Sequence, residues 1–117
     1  MARRLTLLDD EEFAAVCARI DAGGSDRDDL RAATKHTLAL LQAKAPGNSV
    51  EVRVPPFAAV QVIAGQRHTR GTPPAVVETD PLTWIALARG QLSWANAAVR
   101  ASGERSDLSE LLPLTER

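Results

Sequence analysis

One cysteine, Cys17, is all the chain has, which excludes an internal disulfide framework and any multi-cysteine zinc site and fits a reducing compartment. Histidine is almost as scarce: His36 and His68 lie in different segments, so no imidazole pair is spaced for a metal. Charge of one sign is lacking too. Fourteen Lys plus Arg against fifteen Asp plus Glu leave a formal charge of -1, which provides no global field to draw nucleic acid or an anionic membrane. Long hydrophobic runs are absent, and no stretch approaches the ~20 residues of a membrane-spanning helix. Behind Met1-Ala-Arg-Arg only Leu5 to Leu8 precede the run Asp9-Asp10-Glu11-Glu12, so no secretory signal is read and a cytoplasmic location is expected. There is no Gly-x-Ser-x-Gly, no glycine-rich loop before a helix and no dinucleotide fingerprint. No catalytic group, cofactor or metal is therefore expected.

What is present is an ordinary globular composition. Apolar residues make up 44% and charged residues 25% of 117, far from the low-hydrophobicity corner of disordered chains. That length predicts one domain, residues 1–117, able to remove roughly two-thirds of its unfolded surface from water.

Phe13, Val16, Cys17 and Ile20 fall at i, i+3, i+4 and i+7 and predict a helix from about Asp10 to Ala22, with acids in its first turn and Gly23-Gly24 as its stop. Ser25, with Asp28 three residues on, reads as the cap of a second helix carrying Leu30, Ala33, Thr37, Leu38 and Leu41, ended by Pro46-Gly47. The period then changes. Val50, Val52 and Val54 alternate with Glu51 and Arg53, a strand with one wet face, and Pro55-Pro56 breaks it. Phe57 to Ala64, apolar except for Gln61, reads as a central strand covered on both faces. Gly65 to Pro74 is a polar loop, Ala75 to Thr79 a further strand, and Asp80-Pro81 a helix start running to Arg89. Ser93 caps a short turn with Trp94, Ala98 to Ser102 is a last strand, and Ser106 opens an amphipathic turn or two with Leu108, Leu111 and Leu112. The order ααβββααβα predicts an α+β fold. A flexible arm (1–8) leads into a helical hairpin (9–45); an antiparallel sheet of four to five strands with helices on one face and the C-terminal helices fill 49–117.

Several segments carry a resemblance. Glu78-Thr79-Asp80-Pro81-Leu82-Thr83-Trp84, the ending Leu87-Ala88-Arg89-Gly90, Ser93-Trp94-Ala95, Val99-Arg100-Ala101-Ser102-Gly103-Glu104 and Leu108-Ser109-Glu110-Leu111-Leu112 resemble the carboxy-terminal half of the sterol carrier protein type-two domain. Val52 to Gln61 and Arg67 to Pro74 are similar to the compact sterol-carrier orthologues of actinobacteria. The resemblance implies a small sheet with helices around a pocket for a lipid-like ligand. The chain departs from the general domain in lacking the Ala-Phe-x-x-Gly-Lys stretch between Trp94 and Val99, which tightens the last crossover. A related domain forms the carboxy-terminal part of mycothiol-dependent maleylpyruvate isomerase-like enzymes; the helical, metal-carrying domain of those enzymes has no counterpart here.

The expected function is non-catalytic binding or carriage of a small apolar or amphipathic ligand. Two other readings stay open: an interaction or regulatory domain with a closed pocket, and an accessory domain related to that of the isomerase-like enzymes. A homodimer is compatible with any of them. The expected ligand site lies between the strand residues Phe57, Gln61 and Ile63, the tryptophans Trp84 and Trp94, and Leu108, Leu111 and Leu112. Each has a structural alternative. The tryptophans and leucines equally fill a core, and Gln61 equally bonds neighbouring backbone. Cys17 and His36 read as structural.

Arg67, His68 and Arg70 form the one concentrated polar group, suited to an anionic head at the mouth of an apolar site, and otherwise a solvated turn. If they bind a head group, Arg67→Ala or Arg70→Ala alone costs an anionic ligand about 1 kcal/mol. The double variant costs more, salt-dependently, and spares a neutral analogue. Titrations at two salt concentrations check this, and equal loss for both ligands reduces the loop to a turn.

Overall fold

The computed structural model describes residues 7–65, 75–103 and 106–115. Asp9 opens α1 (Asp10–Asp21) with a reciprocal cap: its carboxylate accepts the Glu12 N–H at 2.8 Å, and the Glu12 carboxylate accepts the Asp9 N–H at 3.3 Å. The face read from the apolar spacing is the buried one, through Phe13, Val16 and Cys17. α2 (Arg27–Lys44) is capped by Asp26 rather than Ser25, because the carboxylate one residue on reaches both the Asp28 and Asp29 amides. Asp80 and Pro81 open α3 (Pro81–Ala88) as expected, the Asp80 carboxylate accepting from the Thr83 N–H at 3.0 Å and the Thr83 hydroxyl at 2.6 Å.

Four strands, β1 (Val50–Val54), β2 (Ala58–Val62), β3 (Ala75–Glu78) and β4 (Arg100–Ser102), form one sheet in the order β2-β1-β3-β4. The class is α+β, with the helices against one face. The pairing corrects an expectation, however: β1 and β3 run parallel, Val50 opposite Ala75, while β1–β2 and β3–β4 are antiparallel. The sheet is mixed because β3 passes to the far side of β1. β2 ends beside the start of β1, so the chain needs to cross only two strand spacings of about 4.8 Å to begin β3 at the same end. No long crossover is required.

β2 is consequently an edge strand with one open face, not a central strand covered on both. Val60 and Val62 point inward, whereas Ala59 and Gln61 are exposed. Alanine accounts for the difference: it counts as apolar in a sequence run, yet its small side chain forfeits little when left in water.

The inward valines of β1, β2 and β3 meet Leu38 and Leu41 of α2, Trp84, Leu87 and Ala88 of α3, and Leu108. Trp84 is fully buried, and its Nε1–H donates to the Thr37 hydroxyl at 2.9 Å, which donates in turn to the Ala33 carbonyl at 2.7 Å. This bond joins α3 to α2 in the interior. A second apolar cluster, Phe13, Val16, Cys17, Ala33 and Ile85, lies under α1.

The closing helix expected from Ser106 is a single 3-10 turn, Ser109–Leu111, with Leu108 before it. Ser106 is turned back, its hydroxyl donating to the Gly103 carbonyl. Leu108 plugs the core at 0% exposure, and Pro113 stops propagation, leaving the Leu114 and Thr115 amides to bond the Ala88 carbonyl at 2.7 and 3.1 Å. The last strand is likewise shorter than read. Among the described residues no helix is long and apolar enough to cross a membrane.

Thr37→Val keeps the side-chain volume but leaves the buried Trp84 N–H without an acceptor. Urea unfolding should report a loss of about 1–3 kcal/mol; an unchanged midpoint would remove this bond from the account of the core.

Candidate functional site

The connections at one end of the sheet, where β1 and β3 begin and β2 and β4 end, enclose an open cleft of about 660 Å³. Ala45 and Pro46 enter it from the exit of α2, Ile63 and Ala64 from the exit of β2, and Asp107, Ser109, Glu110 and Leu111 from the turn after β4. The lining is therefore apolar at Ala45, Pro46, Ile63, Ala64 and Leu111 and polar at Asp107, Ser109 and Glu110. The Lys44 ammonium donates to the Leu111 carbonyl at 2.8 Å and ties α2 to the closing turn. Asp107 accepts the Ser109 N–H at 2.9 Å, and that bond, with a contribution from the Ser109 hydroxyl, holds its carboxyl below the usual range.

Ile63 occupies this wall at a cost. Its φ is +66°, a left-handed conformation that a β-branched residue rarely adopts. Three bonds hold it there: its N–H donates to the Ala45 carbonyl at 2.6 Å, and its carbonyl accepts from the Ser49 N–H at 3.0 Å and the Ser49 hydroxyl at 2.6 Å. Gly47, at φ +152°, lies against the same backbone so closely that a Cβ there would collide with Ile63 and Ala64. The exits of α2 and β2 are thus sewn together, and the strain sits at the cleft wall.

Of the residues singled out from the sequence, Ile63 and Leu111 come together here. The others do not. Trp84 and Leu108 lie in the core at 0% exposure, and Trp94 and Leu112 pack half-buried against it. Phe57 is at the opposite end of the sheet, with the guanidiniums of Arg27 and Arg31 at 5.4 and 5.9 Å from its ring centre. Gln61 is exposed on the open face of β2, with neither a core nor a cavity around it. Arg67, His68 and Arg70 lie outside the described residues. Ala45, Pro46, Ala64, Asp107, Ser109 and Glu110 were not anticipated, since small or solvated residues in connections carry no periodic signal; Pro46-Gly47 marked only the helix stop.

A second, smaller hollow of about 290 Å³ sits at the other end, between Pro55, Glu78 to Asp80, Ala98 and Arg100. No group of metal-ligating side chains is found among the described residues. Cys17 is buried under α1, and burial pushes its thiol up despite the opposing Arg89 charge, the reverse of an activated nucleophile.

Residues 26–114 match the family described as bacterial SCP ortholog, a match that spans well over half of the chain and includes α2, the whole sheet, α3 and the closing turn. No curated protein matches.

Gly47→Ala should destabilise the protein by about 1–3 kcal/mol, as forced overpacking does, because the backbone it meets cannot yield without releasing Ile63. Chemical denaturation measures this, and a neutral result would show that the two exits are not in close contact.

Proposed function

We infer the function from one premise: the chain belongs to the bacterial SCP ortholog family, a sterol-carrier-like bacterial domain. On that premise the protein binds a small apolar or amphipathic, lipid-like ligand without transforming it, in the cleft between the exits of α2 and β2 and the closing turn. The observation that carries this reading is the apolar wall of Ala45, Pro46, Ile63, Ala64 and Leu111 in a space of about 660 Å³. That volume lies within the roughly 300–1,000 Å³ of sites that take small molecules. Each methylene buried there contributes about 0.8 kcal/mol, so a short acyl or ring system gains several kcal/mol without any directed contact. The polar wall of Asp107, Ser109 and Glu110 leaves a head group facing hydrogen-bonding partners. Carriage fits such a site better than catalysis does, because Asp107, Ser109 and Glu110 have neither a histidine nor a metal-ligating cluster beside them among the described residues. The single cysteine and the balanced charge favour action in the cytoplasm, away from nucleic acid.

A fluorescent fatty-acyl probe tests the reading. The parent should bind it saturably. Leu111→Asp, which puts a charge on the apolar wall, and Ala64→Trp, which fills the space from an exposed position, should each weaken binding about tenfold or more, a loss of about 1.4 kcal/mol, with circular dichroism unchanged. No binding by the parent, or equal binding by both variants, would transfer the cleft to a protein partner or to no ligand at all.

A further inference from the structure

α1 precedes the residues that match the family, which begin at Asp26, and it rests on a cluster of its own. Phe13, Val16 and Cys17 pack on Ala33 of α2 and Ile85 of α3, while the sheet, Trp84 and Leu108 belong to the other cluster. Removing α1 therefore uncovers one face of α2 and α3 without opening the sheet core. Its link to α2 passes through Gly23 at φ +92° and Gly24, a turn with little side-chain bulk to resist bending.

Three polar ties hold α1 down. At its last turn Asp21 takes both terminal nitrogens of Arg89, at 2.9 and 3.0 Å, with the arginine side chain only 6% exposed. In the same last turn, Arg19 forks onto Asp29 at 2.9 Å. At its first turn the Leu8 N–H donates to Nδ1 of His36 at 3.0 Å, and the imidazole stacks on Phe13 with ring centres 4.3 Å apart. We propose that α1 is a detachable cover over the α2–α3 face, and that the Leu8–His36 bond is the proton-sensitive catch on its first turn.

The chemistry of the catch is specific. Nδ1 accepts only while the ring is neutral with that nitrogen bare; a protonated imidazole has two N–H groups and no acceptor, so Leu8 loses its partner and a charge is left against Phe13. Burial favours the neutral ring and outweighs Asp10 of α1, whose charge favours the protonated one. The other charges near the first turn are engaged or lie alongside: Asp9 and Glu12 hold each other's amides, Glu11 is exposed, and Lys35 is the neighbour of His36 in α2. From α3, Arg89 is turned to Asp21 at the far end of α1.

Because the docked ring resists protonation below its ordinary value of 6.5, docking is complete above that pH and weakens as pH falls through the lowered value. The other two ties do not follow in that window. Their arginine bonds hold Asp21 and Asp29 below the ordinary 3.8, so both pairs stay ionised well into acid. Below 6.5 the His36 catch alone responds among the three ties, because a released ring takes up the proton that the docked ring resists.

Hydrogen exchange on the full chain, read as protection factors at pH 7 and pH 5, tests the proposal. Protection in α1 should fall severalfold at pH 5 while β1 and β2 keep theirs. His36→Asn, whose Oδ1 still accepts from Leu8 but cannot titrate, should abolish the pH response. Leu8→Pro, which has no N–H to give, should show weak α1 protection at both pH values. A thiol reagent corrected for thiolate fraction gives a second readout, since Cys17, 4% exposed under α1, is the one cysteine. A pH response that survives in either variant, an unresponsive parent, or α1 and sheet opening together would overturn the proposal.

Discussion

The parallel pairing of β1 with β3 decides where everything else lies. With Val50 opposite both Val62 and Ala75, three strand termini meet at one end of the sheet, and β4, antiparallel to β3, brings its own end to the same place. The segments leaving or entering those termini must all pass there. Alternating strand direction alone puts these termini at one end; the parallel pairing sets their lateral order, with the start of β1 between the end of β2 and the start of β3. The cleft is thus a product of topology: it is enclosed by connections, while Trp84, Leu108 and the inward valines occupy the layer between helices and sheet.

That interior is closed by polar as well as apolar means. Trp84 is too large to be buried without a partner for its N–H, and Thr37 supplies it from α2 while its own hydroxyl is satisfied by the Ala33 carbonyl. The chain of bonds fixes the position of α3 on α2, and Leu108 then fills the remaining space from the closing turn. Trp84 and Leu108 are both fully buried between helix and sheet. This is why the tryptophans, attractive as pocket walls in a chain with so few aromatics, stand apart from the cleft.

α1 and α2 were legible from an apolar stripe together with acids or a cap at the first turn, and α3 from its Asp80-Pro81 start. The cap of α2 was misplaced by one residue only because Ser25 and Asp26 are both competent, and the carboxylate reached two amides. β1 was legible from its alternation. β2 was not: Ala58, Ala59 and Gln61 form an apolar-looking run whose alanines are indifferent to exposure, so periodicity could not tell an edge from a centre. Strand direction was beyond reach for another reason. Connection length alone suggests neighbours in sequence are neighbours in space, and nothing in the residues between Val62 and Ala75 declares that β3 pairs on the far side of β1. At the cleft, Ile63 and Leu111 were found as large apolar residues, whereas Ala45, Pro46 and Ala64 owe their place to the turn geometry around Gly47.

That geometry ties the cleft to the stability of the sheet. Ile63 keeps its left-handed backbone because Ala45 and Ser49, on either side of Gly47, bond its amide and its carbonyl. Ser49 immediately precedes β1, and its carbonyl also accepts the amide of Ala75, the first residue of β3, at 3.3 Å. One short segment, Ala45 to Ser49, therefore sets the end of α2, the end of β2 and the starts of β1 and β3. A relaxed conformation at Ile63 would require those bonds to break, and with them the register at that end of the sheet. The strain persists because it is over-determined, and it holds an apolar side chain on the wall of an open cleft, where burial against protein alone would not have kept it.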